Sequence, residues 1–133
     1  MAALYLDTSA LFKLVIAEQE SESLGRFLAG FEQRTSSALA HVELARGLLR
    51  LSAGSSEAMA QAAVLLRSMF LVSLDAAVLM RAASLPPPQL RSLDALHLAS
   101  ALSIPSCAGM VTYGRRLITA AAYHGLQVWS PGA

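Results

Sequence analysis

Apolar residues follow two rhythms along this chain. Short apolar runs closed by acids or turn formers alternate with longer segments whose apolar positions recur at helical spacing, as expected of an α/β fold with a parallel sheet. The sequence predicts five strands, Ala3 to Asp7, Gln33 to Ser36, Phe70 to Leu74, Ala108 to Thr112 and Gln127 to Ser130. Helices are predicted at Ser9 to Ala17, Ser21 to Ala29, Leu39 to Leu51, Glu57 to Ser68, Ala76 to Ser84, Leu93 to Leu102 and Arg115 to Tyr123. Breakers mark the limits: Gly54 with Ser55 and Ser56, Pro86-Pro87-Pro88, Pro105, and Gly125 after the last helix.

At 133 residues the chain fits one domain, residues 1–133, burying roughly 65–70% of its unfolded surface without staples. A hydrophobic fraction of 55% and a mean hydropathy of +0.51 raise the question of a membrane. No uninterrupted apolar run approaches the ~18 residues a span needs, so the excess is expected in core or interface. The N-terminal stretch lacks a basic leader and carries Asp7, unlike a secretory signal. With Cys107 the single cysteine and His41, His97 and His124 not spaced for ligation with it, zinc and disulfide frameworks are not expected and a reducing cytoplasm is. The net charge of +1 gives no broad footprint for a polyanion, although nine of the ten basic residues are Arg, which suits bidentate phosphate pairing.

Three acids stand inside otherwise apolar segments. Asp7 ends Ala2-Ala3-Leu4-Tyr5-Leu6, Glu43 interrupts Ala38 to Ala45, and Asp94 opens Leu93 to Ala99. Buried carboxylates need partners, and a convergent set without matched cations suits a hard divalent metal. Each acid also has a plain structural reading. Asp7 can cap the following helix, Asp94 can complement a helix dipole, and Glu43 can pair with Arg46. Asp75 reads as a cap alone; His97, one turn beyond Asp94, reads as a satisfied interior group in preference to one facing the same cleft, and Arg115 and Arg116 as a solvated face in preference to a phosphate site.

In this order and these contexts the acids resemble the PIN domain, most closely the VapC toxins of bacterial toxin–antitoxin pairs. Tyr5-Leu6-Asp7-Thr8-Ser9-Ala10-Leu11, Val42-Glu43-Leu44-Ala45-Arg46-Gly47-Leu48 and Ser92-Leu93-Asp94-Ala95-Leu96-His97-Leu98-Ala99 look like the family's first, second and third acidic motifs. Val111-Thr112-Tyr113 and Gly125-Leu126-Gln127-Val128 extend the likeness over nearly the whole chain. The resemblance implies a three-layer α/β/α domain in which Asp7, Glu43 and Asp94 hold Mg²⁺ or Mn²⁺ and cleave RNA, with Ser9 and Thr112 in support. It also implies a homodimer and a small VapB-like antitoxin covering the site.

One position departs from the family, which commonly has a fourth acid where this chain has Gly114, in Thr112-Tyr113-Gly114-Arg115-Arg116-Leu117, and no Asp or Glu follows Asp94. The site is then expected to be weakened, to use Thr112 and water, or to be a catalytically impaired binding module. A glycine there could also serve a turn at positive φ. Two other acid-based α/β classes fit poorly: a haloacid-dehalogenase phosphatase wants an acid where Ser9 stands, and a receiver domain wants a lysine near a late strand, whereas Lys13 is the only lysine.

Overall fold

A computed structural model of the chain describes residues 2–51 and 54–133. Among the described residues five strands, β1 (Ala3–Leu6), β2 (Arg34–Ser37), β3 (Phe70–Val72), β4 (Cys107–Val111) and β5 (Val128–Trp129), form one parallel sheet ordered β3-β2-β1-β4-β5. The helices are α1 (Thr8–Val15), α2 (Ser21–Leu28), α3 (Ala40–Arg50), α4 (Ser56–Arg67), α5 (Ala76–Ser84), α6 (Ser92–Leu102) and α7 (Arg115–Tyr123). Every predicted strand and helix is present, with ends moved by no more than two residues.

The central strand explains the layering. Successive strand residues point to opposite faces, and β1 is buried on both. Leu4 and Leu6 join Leu11, Leu24, Leu44, Leu48 and Leu66 under α1 to α4, while Tyr5 packs with Leu98, Met110 and Leu117 under α6 and α7. A smaller cluster of Val72, Val78 and Ala99 seats α5. The result is a three-layer α/β/α domain. Local capping starts three helices: the side chains of Asp7, Ser55 and Asp75 accept the backbone amides of Ala10, Ala58 and Val78.

The chain leaves β1 toward β2 and β3, then crosses to β4 and β5 on the other side. Where strand order reverses, the loops after adjacent strands part and leave a crevice at their carboxyl ends. Here that crevice lies between the ends of β1 and β4, where Asp7 and Thr112 follow their strands. No helix among the described residues is long and apolar enough to cross a membrane.

Register at this junction depends on Gly109. The β1–β4 pairing slips between Ala3 and Leu4, whose partners are Cys107 and Gly109, and Gly109 takes φ +157 to accommodate the irregularity. A Cβ there would lie 2.5 Å from both the Gln127 carbonyl oxygen and the Trp129 ring. Gly109→Ala is therefore expected to lower unfolding free energy by about 2 kcal/mol or more, the scale of overpacking with backbone strain, in urea denaturation. A change below ~0.5 kcal/mol, typical of unconstrained surface sites, would show that β5 yields freely.

Candidate active site

Asp7 is the innermost acid, with a relative exposure of 6%. Its capping role and its place in the site coexist, because each carboxylate oxygen has its own donor. Oδ1 accepts Ser9 Oγ at 2.6 Å and the Ala10 amide at 3.1 Å, and Oδ2 accepts Thr112 Oγ1 at 2.7 Å. Both hydroxyls in turn accept amides from the loop after β4: Tyr113 N–H at Ser9 Oγ and Gly114 N–H at Thr112 Oγ1, each at 3.1 Å. Ser9 and Thr112 thus bridge the Asp7 carboxylate to the backbone of that loop. Burial still raises the Asp7 pKa, against the lowering effects of His97, these hydroxyls and the Ala10 amide.

Glu43, in the first turn of α3, is held differently. Its Oε1 accepts Thr8 Oγ1 at 2.7 Å and His97 Nε2 at 2.6 Å, and no pairing with Arg46 occurs among the described residues. Burial acts to raise its pKa, but the hydrogen bond and charge of His97, the Thr8 hydroxyl and the charge of Arg50 together hold the carboxyl below its usual value.

His97 is buried, and both of its ring nitrogens are engaged. Nδ1 meets the Tyr5 hydroxyl at 2.7 Å and Nε2 meets Glu43. With Glu43 ionised, Nε2 donates to it, which leaves Nδ1 for the hydrogen bond with the Tyr5 hydroxyl. Burial keeps the Tyr5 phenol protonated by raising its pKa well above the ordinary value. The sequence reading of His97 as a satisfied interior group is correct as far as burial goes, but its partner is a site acid. Because α3 and α6 belong to opposite layers, Tyr5–His97–Glu43 links the layers across the sheet's carboxyl edge.

Asp94, in the first turn of α6, is half-buried and accepts no hydrogen bond from the described residues. Burial, then the negative charge of Asp7, raises its pKa; Glu43 adds to the rise, while His97 and Arg116 oppose it. Arg115 and Arg116 begin α7, exposed beside a cleft of about 390 Å³ shared with Pro87, Gln89 and Leu90. Asp75 serves as a cap. A larger cleft of about 490 Å³ lies by β3 and α5, away from the site acids.

Gly114 proves not to need glycine for its backbone. It caps α7 at φ −81, ψ 119, a conformation open to any L-residue, so the positive-φ alternative is excluded. A Cβ would meet only ordinary contacts, with Thr112 Oγ1 at 3.6 Å and Leu117 Cβ at 3.9 Å.

The donor set fits a hard cation in chemistry. Asp7 and Asp94 have no ion pair among the described residues; burial raises the pKa of both, and the negative charge of Asp7 and Glu43 adds to the rise at Asp94. The acids are not a ready-made ligand cluster, however, since no three Asp, Glu, His or Cys side chains among the described residues are grouped closely enough to hold an ion. Sequence reasoning missed Thr8 and Tyr5. Thr8 directly follows Asp7, but nothing in the spacing joins it to Glu43, 35 positions away.

Stability should reveal the buried relay. Tyr5→Phe and His97→Leu should each cost about 1–3 kcal/mol by leaving a buried polar partner unsatisfied, and the double variant less than the sum. Urea denaturation of the four proteins measures this coupling. Strict additivity would mean that the Tyr5–His97 contact contributes nothing.

The PIN domain profile matches residues 4–122. The chain is 41% identical over 132 residues to Ribonuclease VapC46 of Mycobacterium tuberculosis, covering 98% of this chain and 99% of that protein. It is 40% identical over 137 residues to Ribonuclease VapC35 of the same species, covering 97% of each. In three dimensions it superposes on the crystal structure of M. tuberculosis VapC20, described as a Sarcin-Ricin loop cleaving toxin, with a TM-score of 0.75 over 97% of this chain and 100% of that one. At 17% identity that likeness speaks for the fold alone. Matched along almost its full length by profile and by relatives alike, the chain belongs to the PIN domain family, in its VapC group.

Proposed function

We propose that this protein is a metal-dependent endoribonuclease, the toxin of a type II toxin–antitoxin pair, working in the cytoplasm as a single domain over residues 1–133. The observation that carries the reading is three acids at the carboxyl edge of the sheet, two of them buried or half-buried without cationic partners among the described residues. The names of the M. tuberculosis relatives, which are called ribonucleases, support the substrate class.

Asp7, Glu43 and Asp94 would hold Mg²⁺ or Mn²⁺, which when bound supplies an activated water and neutralises charge on the phosphodiester and its leaving oxygen. Ser9 and Thr112 keep Asp7 oriented, while Thr8 and His97 bind one oxygen of Glu43 and leave Oε2 for ligation. Arg115 and Arg116 stand where they could take up RNA phosphate, with the charge of Arg116 already felt at Asp94.

The exposed Val42, Leu49, Leu51 and Val64 on and beside α3 and α4 are apolar surface suited to burial in a homodimer or under a VapB-like antitoxin. Gly114 favours a second reading, that of an impaired binding module.

Asp7→Asn, Glu43→Gln and Asp94→Asn are each expected to reduce Mn²⁺-dependent cleavage of RNA by at least about a hundredfold, the scale of losing a positioned catalytic group. Parent-like cleavage by all three would refute the acidic site. Asp94→Asn should also raise the metal-free melting temperature by about 2–5 °C, the shift from a stability gain near 1 kcal/mol in a domain of this size. The sign follows from linkage: the folded pKa lies above the ordinary 3.8, so stability present in acid is lost as pH rises through that raised value. Asn removes this loss, and scanning calorimetry from acid to neutral pH should show a flatter profile for the variant.

Gly114→Asp distinguishes the two readings. The backbone accepts Asp without strain, Asp favours a helix N-cap, and an added carboxylate strengthens a hard-cation site. Mn²⁺ affinity and cleavage should rise by about ten- to a hundredfold, the range associated with a supporting metal-site group. Absence of activity in both forms would favour the binding module.

A further inference from the structure

We propose that the cleft between α1 and α3 is a phosphate subsite of the RNA path, in which Arg50 binds a phosphodiester flanking the one cleaved at the acids. This inference rests on the ribonuclease reading above and names a substrate-positioning residue that the sequence does not single out.

The cleft has a volume of about 450 Å³ and opens directly beside the site, with Thr8, Ser9, Glu43, Gly47, Arg50 and Tyr113 among its walls. Glu43, Gly47 and Arg50 share one face of α3, because residues four and seven apart return to the same side of a helix. Gly47 keeps that face low. A Cβ there would lie 3.4 Å from the Phe12 ring and 4.0 Å from Arg50 Nη2. The second distance also places the guanidinium folded back over Gly47, toward Glu43. A rise of 1.5 Å per residue puts Gly47 and Glu43 about 6 Å apart along the axis, close enough for one nucleotide strand to touch both the acids and Arg50.

The two cations of this cleft are not equivalent. Lys13 already serves the protein: Nζ lies 3.0 Å from Glu20 and 3.3 Å from Glu18, and 4.7 Å from the centroid of the Tyr113 ring. It adds little net charge for a ligand. Arg50 is exposed and has no ion pair or side-chain hydrogen bond among the described residues, yet its charge is felt at Glu43. A planar guanidinium free at the rim of an acidic site matches the bidentate geometry of a phosphate. An acidic peptide segment would meet Glu18 and Glu43 on the same walls, so the phosphate of a strand whose neighbouring unit occupies the metal site is the better match.

The test is equilibrium binding of a single-stranded oligoribonucleotide to the cleavage-blocked Asp94→Asn protein with Mg²⁺ present, measured over a range of salt. Arg50→Ala should weaken binding about tenfold and reduce the slope of log K against log salt by about 0.7, the contribution of one phosphate contact on a single strand. Arg50→Lys should restore the slope and part of the affinity. Arg67→Ala, which removes the same charge from the exposed end of α4, should not change the slope. In the active parent, Arg50→Ala should raise KM far more than it lowers kcat. Equal slopes and affinities for Arg50→Ala and Arg67→Ala, with RNA bound by both, would overturn the subsite alone. No RNA binding or cleavage by any form would overturn the ribonuclease reading beneath it.

Discussion

The structure turns on a carboxylate buried at the end of its central strand. Asp7 continues β1, the strand flanked on both sides within the sheet, and an ionised group at that depth is tolerated only when its lone pairs are satisfied. Ser9, Ala10 and Thr112 satisfy them. The same bonds begin α1 and tie the loop after β4 to the end of β1, through the amides of Tyr113 and Gly114. One side chain therefore sets the entry to a helix, the position of a neighbouring loop and the deepest point of the crevice. The hydrogen bonds offset the desolvation without removing it, since the pKa of Asp7 remains raised.

The other two acids divide the problem between them. Glu43 is stabilised as a carboxylate by Thr8 and His97 and is held below its usual pKa despite burial. Asp94 has no such bonds among the described residues and takes the full effect of its neighbours' charge. A set with one well-held anion and two strained ones is poorly arranged for stability alone, and local rules broken in this way are expected at functional sites. A divalent cation would convert the strain into binding energy, because ligands favouring only the bound state stabilise the fold by mass action.

Much of this was legible in the sequence, for physical reasons that differ from residue to residue. Asp7 and Asp94 stand out because acids are rare in apolar runs, and the strands and helices follow from periodicity and breakers. Glu43 was visible as an anomaly, but its partners were not. Local spacing offered Arg46, whereas the fold supplied His97, 54 positions away, and Thr8 from another helix. Tyr5 reads as one more apolar strand residue until the fold places its hydroxyl on His97. Gly114 invites a conformational explanation from sequence that its backbone does not bear out, whereas Gly109, which the sequence did not single out, has a positive φ and no room for a side chain. Such distinctions depend on long-range contacts, which no local window contains.

The central claim is that Asp7, Glu43 and Asp94 act together on one hard cation, and the most direct measurement is anomalous diffraction from crystals of the protein grown with Mn²⁺. The account predicts an anomalous peak in the crevice between the ends of β1 and β4, about 2.0–2.3 Å from carboxylate oxygens of Asp7 and Asp94, close to the distances of hard divalent cations. Glu43 would bind it directly or through water. A fully occupied manganese elsewhere on the molecule, with the crevice holding only water at saturating Mn²⁺, would contradict the claim.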